Sequence, residues 1–252
     1  MKTCLKCGKS YSDEQAFCPD DNTPLVTRDS GEQDPLVGRV IAGRYQVGAL
    51  IARGGMGAVY RAVHTKMNRT CALKVLVQTV PDPDSVARFN REAQMASRID
   101  SPHAVTIYDF GEAEDGLLYL AMEFIEGEPL TTTIARERTL ALPRVARITS
   151  QIAEALSAAH RLGIIHRDLK PDNIMITRKG GDQDYVKVLD FGIAKVVAEG
   201  NPNETLTQTG IVLGTPPYMS PEQLTGEHLD PRSDVYSLAL IVYQMICGKL
   251  PF

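Results

Sequence analysis

No apolar run in the 252-residue chain reaches the roughly 20 residues needed to cross a bilayer. The start, Met1-Lys2-Thr3-Cys4, lacks the apolar core of a secretory signal. The sequence therefore predicts a cytoplasmic chain without a membrane segment of its own; a membrane anchor downstream of residue 252 stays compatible with it. A basic surplus is missing too. Twenty-seven Lys and Arg against 31 Asp and Glu leave a formal charge of −4, which argues against a nucleic-acid binder. No internal repeat or low-complexity tract is found. Cysteine is scarce and odd in number: five, of which Cys4, Cys7 and Cys18 crowd the start, while Cys71 and Cys247 sit alone in apolar surroundings. That usage argues against a disulfide framework and fits metal ligation in a reducing compartment. What is present is 43% hydrophobic and 23% charged residues, enough to bury a core and too much for overall disorder.

Four stretches differ in character. Residues 1–25 form a cysteine-bearing miniature, and residues 26–43 read as a polar, turn-rich linker around Arg28-Asp29-Ser30-Gly31-Glu32-Gln33-Asp34-Pro35. Residues 44–127 carry short β-type runs at 45–51, 58–63, 71–77, 105–110 and 117–124, broken by one helix at 85–99 with Val86, Phe89, Ala93, Ala96 and Ile99 on one face. Residues 128–252 are mainly helical. Val145, Ile148, Ile152, Ala155, Leu156 and Ala159 form an amphipathic stripe, and 233–247 is apolar almost all round, as in a buried helix. A β-rich lobe followed by a helical one is an α+β fold.

The segment Ile51-Ala52-Arg53-Gly54-Gly55-Met56-Gly57-Ala58-Val59 lies between two strands. Closely spaced glycines let backbone N–H groups approach phosphate oxygens, although a plain turn has the same composition. Lys74, inside the apolar strand Ala72-Leu73-Lys74, must find an anion because an unpaired buried ammonium is costly. Glu92 on the next helix is the obvious partner. These two segments leave a simple structural ion pair open.

Three further motifs follow in order: His166-Arg167-Asp168-Leu169-Lys170-Pro171-Asp172-Asn173, Asp190-Phe191-Gly192, and Gly214-Thr215-Pro216-Pro217-Tyr218-Met219-Ser220-Pro221-Glu222. With them the sequence resembles the protein kinases, and more closely the bacterial, eukaryotic-like serine/threonine kinases, over residues 37–252. The resemblance implies a two-lobed kinase fold, with a β-rich N-lobe and a helical C-lobe truncated after its buried central helix. It implies ATP and Mg2+ (with Mn2+ as an alternative), and protein substrates with Ser or Thr acceptors. By the same resemblance Lys74 holds the α- and β-phosphates, fixed by Glu92, while Asp190 and Asn173 bind magnesium. Asp168 is the base, Lys170 sits near the transferred phosphate, and Thr215 contacts Asp168 and Lys170. Adenine is expected against the backbone of Glu123 to Ile125, below Met122, lined by Ile51, Val59, Ala72 and Met175, with Gly54, Gly55 and Gly57 over the phosphates. Arg167 is expected to receive a phosphorylated loop, with Thr205, Thr207 and Thr209 as sites of autophosphorylation, which implies self-association. Asp234 is expected to brace the catalytic loop.

The sequence departs from the family at three places. Ala52 replaces the first loop glycine, and Ser101-Pro102-His103 replaces a more usual His-Pro-Asn. The chain also stops at Phe252, ahead of further family helices and an arginine that pairs with the glutamate equivalent to Glu222, so Glu222 is expected to lack that partner and the chain to be a fragment. At the start, Cys4-Leu5-Lys6-Cys7 and Cys18-Pro19-Asp20-Asp21 resemble the knuckles of a small zinc ribbon, a Cys3Asp set of Cys4, Cys7, Cys18 and Asp21 for a structural zinc. Two rivals compete with a protein kinase. A non-catalytic scaffold is disfavoured by the intact set of Lys74, Glu92, Asp168, Asn173 and Asp190. A small-molecule kinase is disfavoured by the peptide-platform segment 214–222.

Overall fold

The computed structural model of the protein describes residues 2–4, 10–11, 25–27, 34–54, 57–76, 83–192 and 216–252. The chain divides into two compact units, Met1–Arg39 and Val40–Phe252. In the first, β1 (Lys2–Cys4) pairs antiparallel with β2 (Ser10–Tyr11) on one side and β3 (Leu25–Thr27) on the other.

The second unit opens with β4 (Val40–Ile41), β5 (Tyr45–Gly54), β6 (Gly57–His64) and β7 (Arg69–Leu76). Their side chains alternate: Tyr45 and Val47 on β5, and Ala58, Tyr60 and Ala62 on β6, are buried while their neighbours are more open. Period-two burial of this kind drives an antiparallel sheet with one covered face. Helix α1 (Pro83–Ala96) follows, and then β8 (Ile107–Glu112) and β9 (Leu118–Glu123) complete a six-stranded sheet in the order β4-β5-β6-β7-β9-β8. Phe89 and Ala93 of α1 are fully buried, and α1 lies against β8 through the edge-to-face pair of Phe89 and Phe110.

Beyond Glu123 the chain forms β10 (Gly127–Pro129), α2 (Leu130–Glu137) and α3 (Leu142–Arg161). All six residues of the α3 stripe read from the sequence are buried. Next, β11 (Ile174–Lys179) and β12 (Asp182–Val188) pair with β10 in a small antiparallel sheet. Gln151 of α3 ties that sheet down, donating to the Asp184 carbonyl and accepting from the Val186 N–H. Helices α4 (Pro221–Thr225) and α5 (Pro231–Cys247) close the described fold.

The all-round apolar pattern of α5 predicts full burial, and the structure differs. Leu240, Ile241 and Met245 are buried, whereas Val235, Tyr243 and Ile246 are exposed. One side packs on α3, and no described element covers the other. The Glu222 carboxylate, expected to lack an arginine, accepts a 2.6 Å hydrogen bond from the Ser233 hydroxyl. Tertiary placement supplies this bond, bringing Ser233 in the first turn of α5 to Glu222 of α4. His103 serves structure, its Nδ1 lying 3.0 Å from the Val186 carbonyl.

Candidate active site

The loop from α3 to the 3-10 turn Pro171–Asn173 carries the catalytic candidates, and a buried carboxylate shapes it. Asp234, only 1% exposed, accepts the backbone N–H of His166 at 2.9 Å and of Arg167 at 3.1 Å, and lies 2.7 Å from His160 Nε2. A carboxylate at this depth is tolerable only when hydrogen-bonded, so sequence position and fold fix each other here. Arg167 has a φ of 62°, a left-handed conformation unfavourable for a residue with a Cβ. Strain of that kind costs about 1–3 kcal/mol and persists only where its surroundings over-determine it. The two N–H bonds to Asp234 are such a constraint.

The bend presents Asp168. Its N–H donates to the His166 carbonyl at 2.8 Å, and Lys170 Nζ stands 3.1 Å from its Oδ2. Asn173 Nδ2 donates to the Asp168 carbonyl at 2.8 Å and approaches Oδ2 at 3.3 Å. Asp168, Lys170 and Asn173 thus form one hydrogen-bonded cluster.

Asp190 reaches the same place from β12. The Leu189 N–H donates to the Asn173 carbonyl at 2.8 Å, and the Leu189 carbonyl lies 2.7 Å from His166 Nε2. Asp190, with a φ of 53°, then turns its carboxylate to Lys74, 2.8 Å away. Burial pushes the Asp190 carboxyl upward in pKa, but the Lys74 ammonium overrides it through charge and hydrogen bond, helped by His166 and Lys170. The net effect holds the group below the usual carboxylate range.

The expected Lys74–Glu92 pair is not formed. Lys74 gives its ammonium to Asp190, while Glu92 lies 3.9 Å from Arg91 Nε. Glu92 instead borders a cavity of about 210 Å3 shared with Met95, Ile164, Arg167 and Phe191. The carboxylate within hydrogen-bond reach takes the lysine, and Asp190 is that carboxylate here.

The apolar candidates are gathered by sheet register. Val59 stands opposite Lys74 and next to Ala52 across β5, and Ala72 stands opposite Met122. Residues directly opposite share a face, so Val59, Ala72, Lys74 and Met122 line one surface. Ala72 and Met122 are buried, Ile125 and Met175 half-buried, and Ile51 is exposed at the rim. Met175 lies on β11 between Pro129 and Lys187. Gly54 pairs with Gly57 at the β5–β6 tip. Gly57 needs to be glycine: its φ is 145°, and a Cβ there would stand 2.2 Å from the Val75 carbonyl oxygen.

The start of α4 is anchored to the catalytic loop. Ser220 and Gln223 form a capping box on α4, and Gln223 Nε2 donates to the Arg167 carbonyl at 2.7 Å. Gly55, Thr205, Thr207, Thr209 and Thr215 lie outside the described residues. Of the zinc candidates, Cys4 lies on β1, and Cys7, Cys18 and Asp21 lie outside the described residues. Sequence reasoning passes over Lys187, a buried lysine on β12 that holds Glu123. The signal was the one used for Lys74: a lysine inside an apolar strand.

Comparison with known proteins agrees with this geometry. The family model described as protein kinase domain matches residues 45–252. The chain is 50% identical over 222 residues to the serine/threonine-protein kinase pkn3 of Myxococcus xanthus, covering 88% of this chain and 41% of that protein. It is 42% identical over 223 residues to the serine/threonine-protein kinase PknA of Mycobacterium tuberculosis, covering 86% and 50%. The crystal structure of the Mycobacterium tuberculosis PknI kinase domain superposes with a TM-score of 0.68 at 29% identity, covering 87% of this chain and 80% of that one. The chain spans half or less of the length of these two curated relatives. Matched along most of its length by the family model, with a lysine–aspartate pair and a braced catalytic loop where that family carries its motifs, the chain belongs to the protein kinase family.

Proposed function

We propose that the chain transfers the γ-phosphoryl group of ATP to serine and threonine hydroxyls of protein substrates. The convergence of Asp168, Lys170 and Asn173 with the Lys74–Asp190 pair carries this reading. Phosphoryl transfer asks little covalent work of the protein; it asks for in-line positioning and neutralised charge. Asp168 is placed to accept the proton of the attacking hydroxyl, oriented by Lys170 and Asn173. General-base help of this sort contributes about 10²–10⁴ in rate. Lys74, on the same sheet face as the apolar slot, holds the α- and β-phosphates once it exchanges Asp190 for them. Glu92 is then the anion available to the lysine.

The donors fit magnesium, or manganese in its place. Asp190 offers a carboxylate, and Asn173 uses its amide N–H groups on Asp168, which leaves its side-chain oxygen as the remaining donor. Hard oxygens are what such ions take. When bound, the ion neutralises phosphate charge. Adenine sits against Glu123 to Ile125, between Val59, Ala72 and Met175.

Regulation belongs to the same reading. Thr205, Thr207 and Thr209 are the candidate autophosphorylation sites, self-association supplies the second molecule, and Arg167 receives the phosphate. We assign 1–25 to a zinc-ribbon-like segment with Cys4, Cys7, Cys18 and Asp21 as ligands, 26–43 to a linker, 44–127 to the N-lobe and 128–252 to the C-lobe. Metal analysis of the purified chain tests the zinc. Among the described residues, no helix is long and apolar enough to cross a membrane. Transfer of labelled phosphate to a Ser/Thr-rich acceptor protein, followed by phosphoamino-acid analysis, tests the activity. Label on serine or threonine supports it, and label on tyrosine alone contradicts it.

A further inference from the structure

Lys187 stands on β12, three residues before Asp190, with its side chain only 6% exposed. An ammonium at that depth must be satisfied. Here it donates to Glu123 Oε2 at 2.7 Å and to the Ala104 carbonyl at 3.0 Å. Those oxygens belong to two different segments. Glu123 ends β9, where the chain leaves the six-stranded sheet, and Ala104 lies in the connector between α1 and β8.

Backbone bonds already join the connector to β12: the Val105 N–H donates to Val188 at 2.9 Å, and the Val188 N–H to His103 at 2.7 Å. The connector also holds Glu123, whose N–H donates to Thr106 at 2.9 Å. Among the described residues, Lys187 supplies the direct hydrogen-bonded link between Glu123 and β12. A lysine suits that task because its three donors serve two acceptors at once.

We propose that Lys187 is a positioning residue for ATP. It clamps β12, the strand that leads into Asp190, to the segment 123–125 that receives adenine, and so fixes the spacing between the adenine end and the phosphate end of the site. The inference rests on the adenine placement argued above. A clamp differs from a simple core ion pair in what its loss changes. A core pair sets how many molecules fold, whereas a clamp sets how tightly each folded molecule holds nucleotide.

The test is fluorescence titration of the full chain with mant-ATP and magnesium, reading both the dissociation constant and the number of sites per molecule. Lys187→Met is expected to weaken binding about tenfold, within the range for residues that couple parts of a site, while the number of sites stays at the wild-type value. Lys187→Arg, which keeps the charge and the reach, recovers most of the affinity. Glu123→Met/Lys187→Met leaves no orphaned charge, so it carries the test if Lys187→Met does not fold, and it is expected to bind as weakly as the single variant. Wild-type or tighter affinity in Lys187→Met overturns the clamp, and so does wild-type affinity in the double variant. Ala72→Phe fills the adenine slot and is expected to abolish binding. Wild-type binding by Ala72→Phe would overturn the adenine placement and the clamp with it. Loss of binding in Ala72→Phe beside unchanged binding in Lys187→Met would overturn the clamp alone.

Discussion

The ammonium of Lys74 lies 2.8 Å from Asp190 Oδ1, tying the middle of β7 to the residue that follows β12 by two positions. The pair links the six-stranded sheet to the segment that follows the smaller one, and in the function proposed above it bears on both halves of the chemistry, with the lysine as phosphate ligand and the aspartate as metal ligand. The lysine holds the Asp190 carboxyl below the usual carboxylate range in a partly buried setting, where a lone charge would be costly.

The first prediction concerns pH. The Asp190 pKa is lowered in the folded chain, so the stability it contributes is complete above the unfolded carboxylate pKa of about 4. That contribution is lost as the pH falls through the lower, folded value. Thermal unfolding midpoints of the wild type and Asp190→Asn, followed from pH 7 downward, should differ most near neutrality and converge in acid below about pH 4. A gap that widens in acid contradicts the assignment. Asp190→Asn should also lose the magnesium dependence of nucleotide binding, which the same titration with and without magnesium reads directly.

Asp234 provides a second test. Asp234→Ala leaves the N–H groups of His166 and Arg167 without their acceptor, and each buried orphan costs about 1–3 kcal/mol. A loss of about 2–6 kcal/mol of unfolding free energy is expected on that sum. Phosphate transfer should fall further than stability alone explains, because Arg167 can then leave its left-handed conformation and carry Asp168 with it. Denaturant unfolding measured beside transfer rate checks this, and an Asp234→Ala chain of wild-type stability sinks it.

Gly57→Ala is the third. The added methyl would meet the Val75 carbonyl oxygen at 2.2 Å, and that oxygen is backbone within the sheet. The β5–β6 tip has to shift, so nucleotide binding should weaken together with the thermal midpoint. Gly54→Ala, with nothing within 4 Å of its would-be Cβ, should cost far less. Equal penalties at both positions would show that the close approach of β6 to β7 does not matter.

How far all this was legible in the sequence depends on the distance over which each relationship acts. Asp168, Lys170 and Asn173 fall within six residues, and their cluster is local, so the motif already contained it. The stripe of α3 was legible because helix periodicity is local as well. Choice of partner is another matter. Lys74 could be read as needing an anion, but whether Glu92 or Asp190 supplies it depends on where α1 and β12 come to lie, which no short window encodes. The Glu222–Ser233 bond and the Lys187–Glu123 pair arise in the same way, from tertiary placement. The β10–β11 pairing escaped because β10 is three residues long with no period to detect. The exposed side of α5 escaped because an all-round apolar helix carries no sign of which side is covered.

The central claim is that Asp168, set in this frame, makes the chain a phosphate-transferring enzyme. Intact-protein mass after incubation with magnesium and ATP tests it most directly, with Asp168→Asn run in parallel. The account predicts phosphate adducts on the wild type alone, mapping to Thr205, Thr207 or Thr209. Equal adducts on both chains would contradict it.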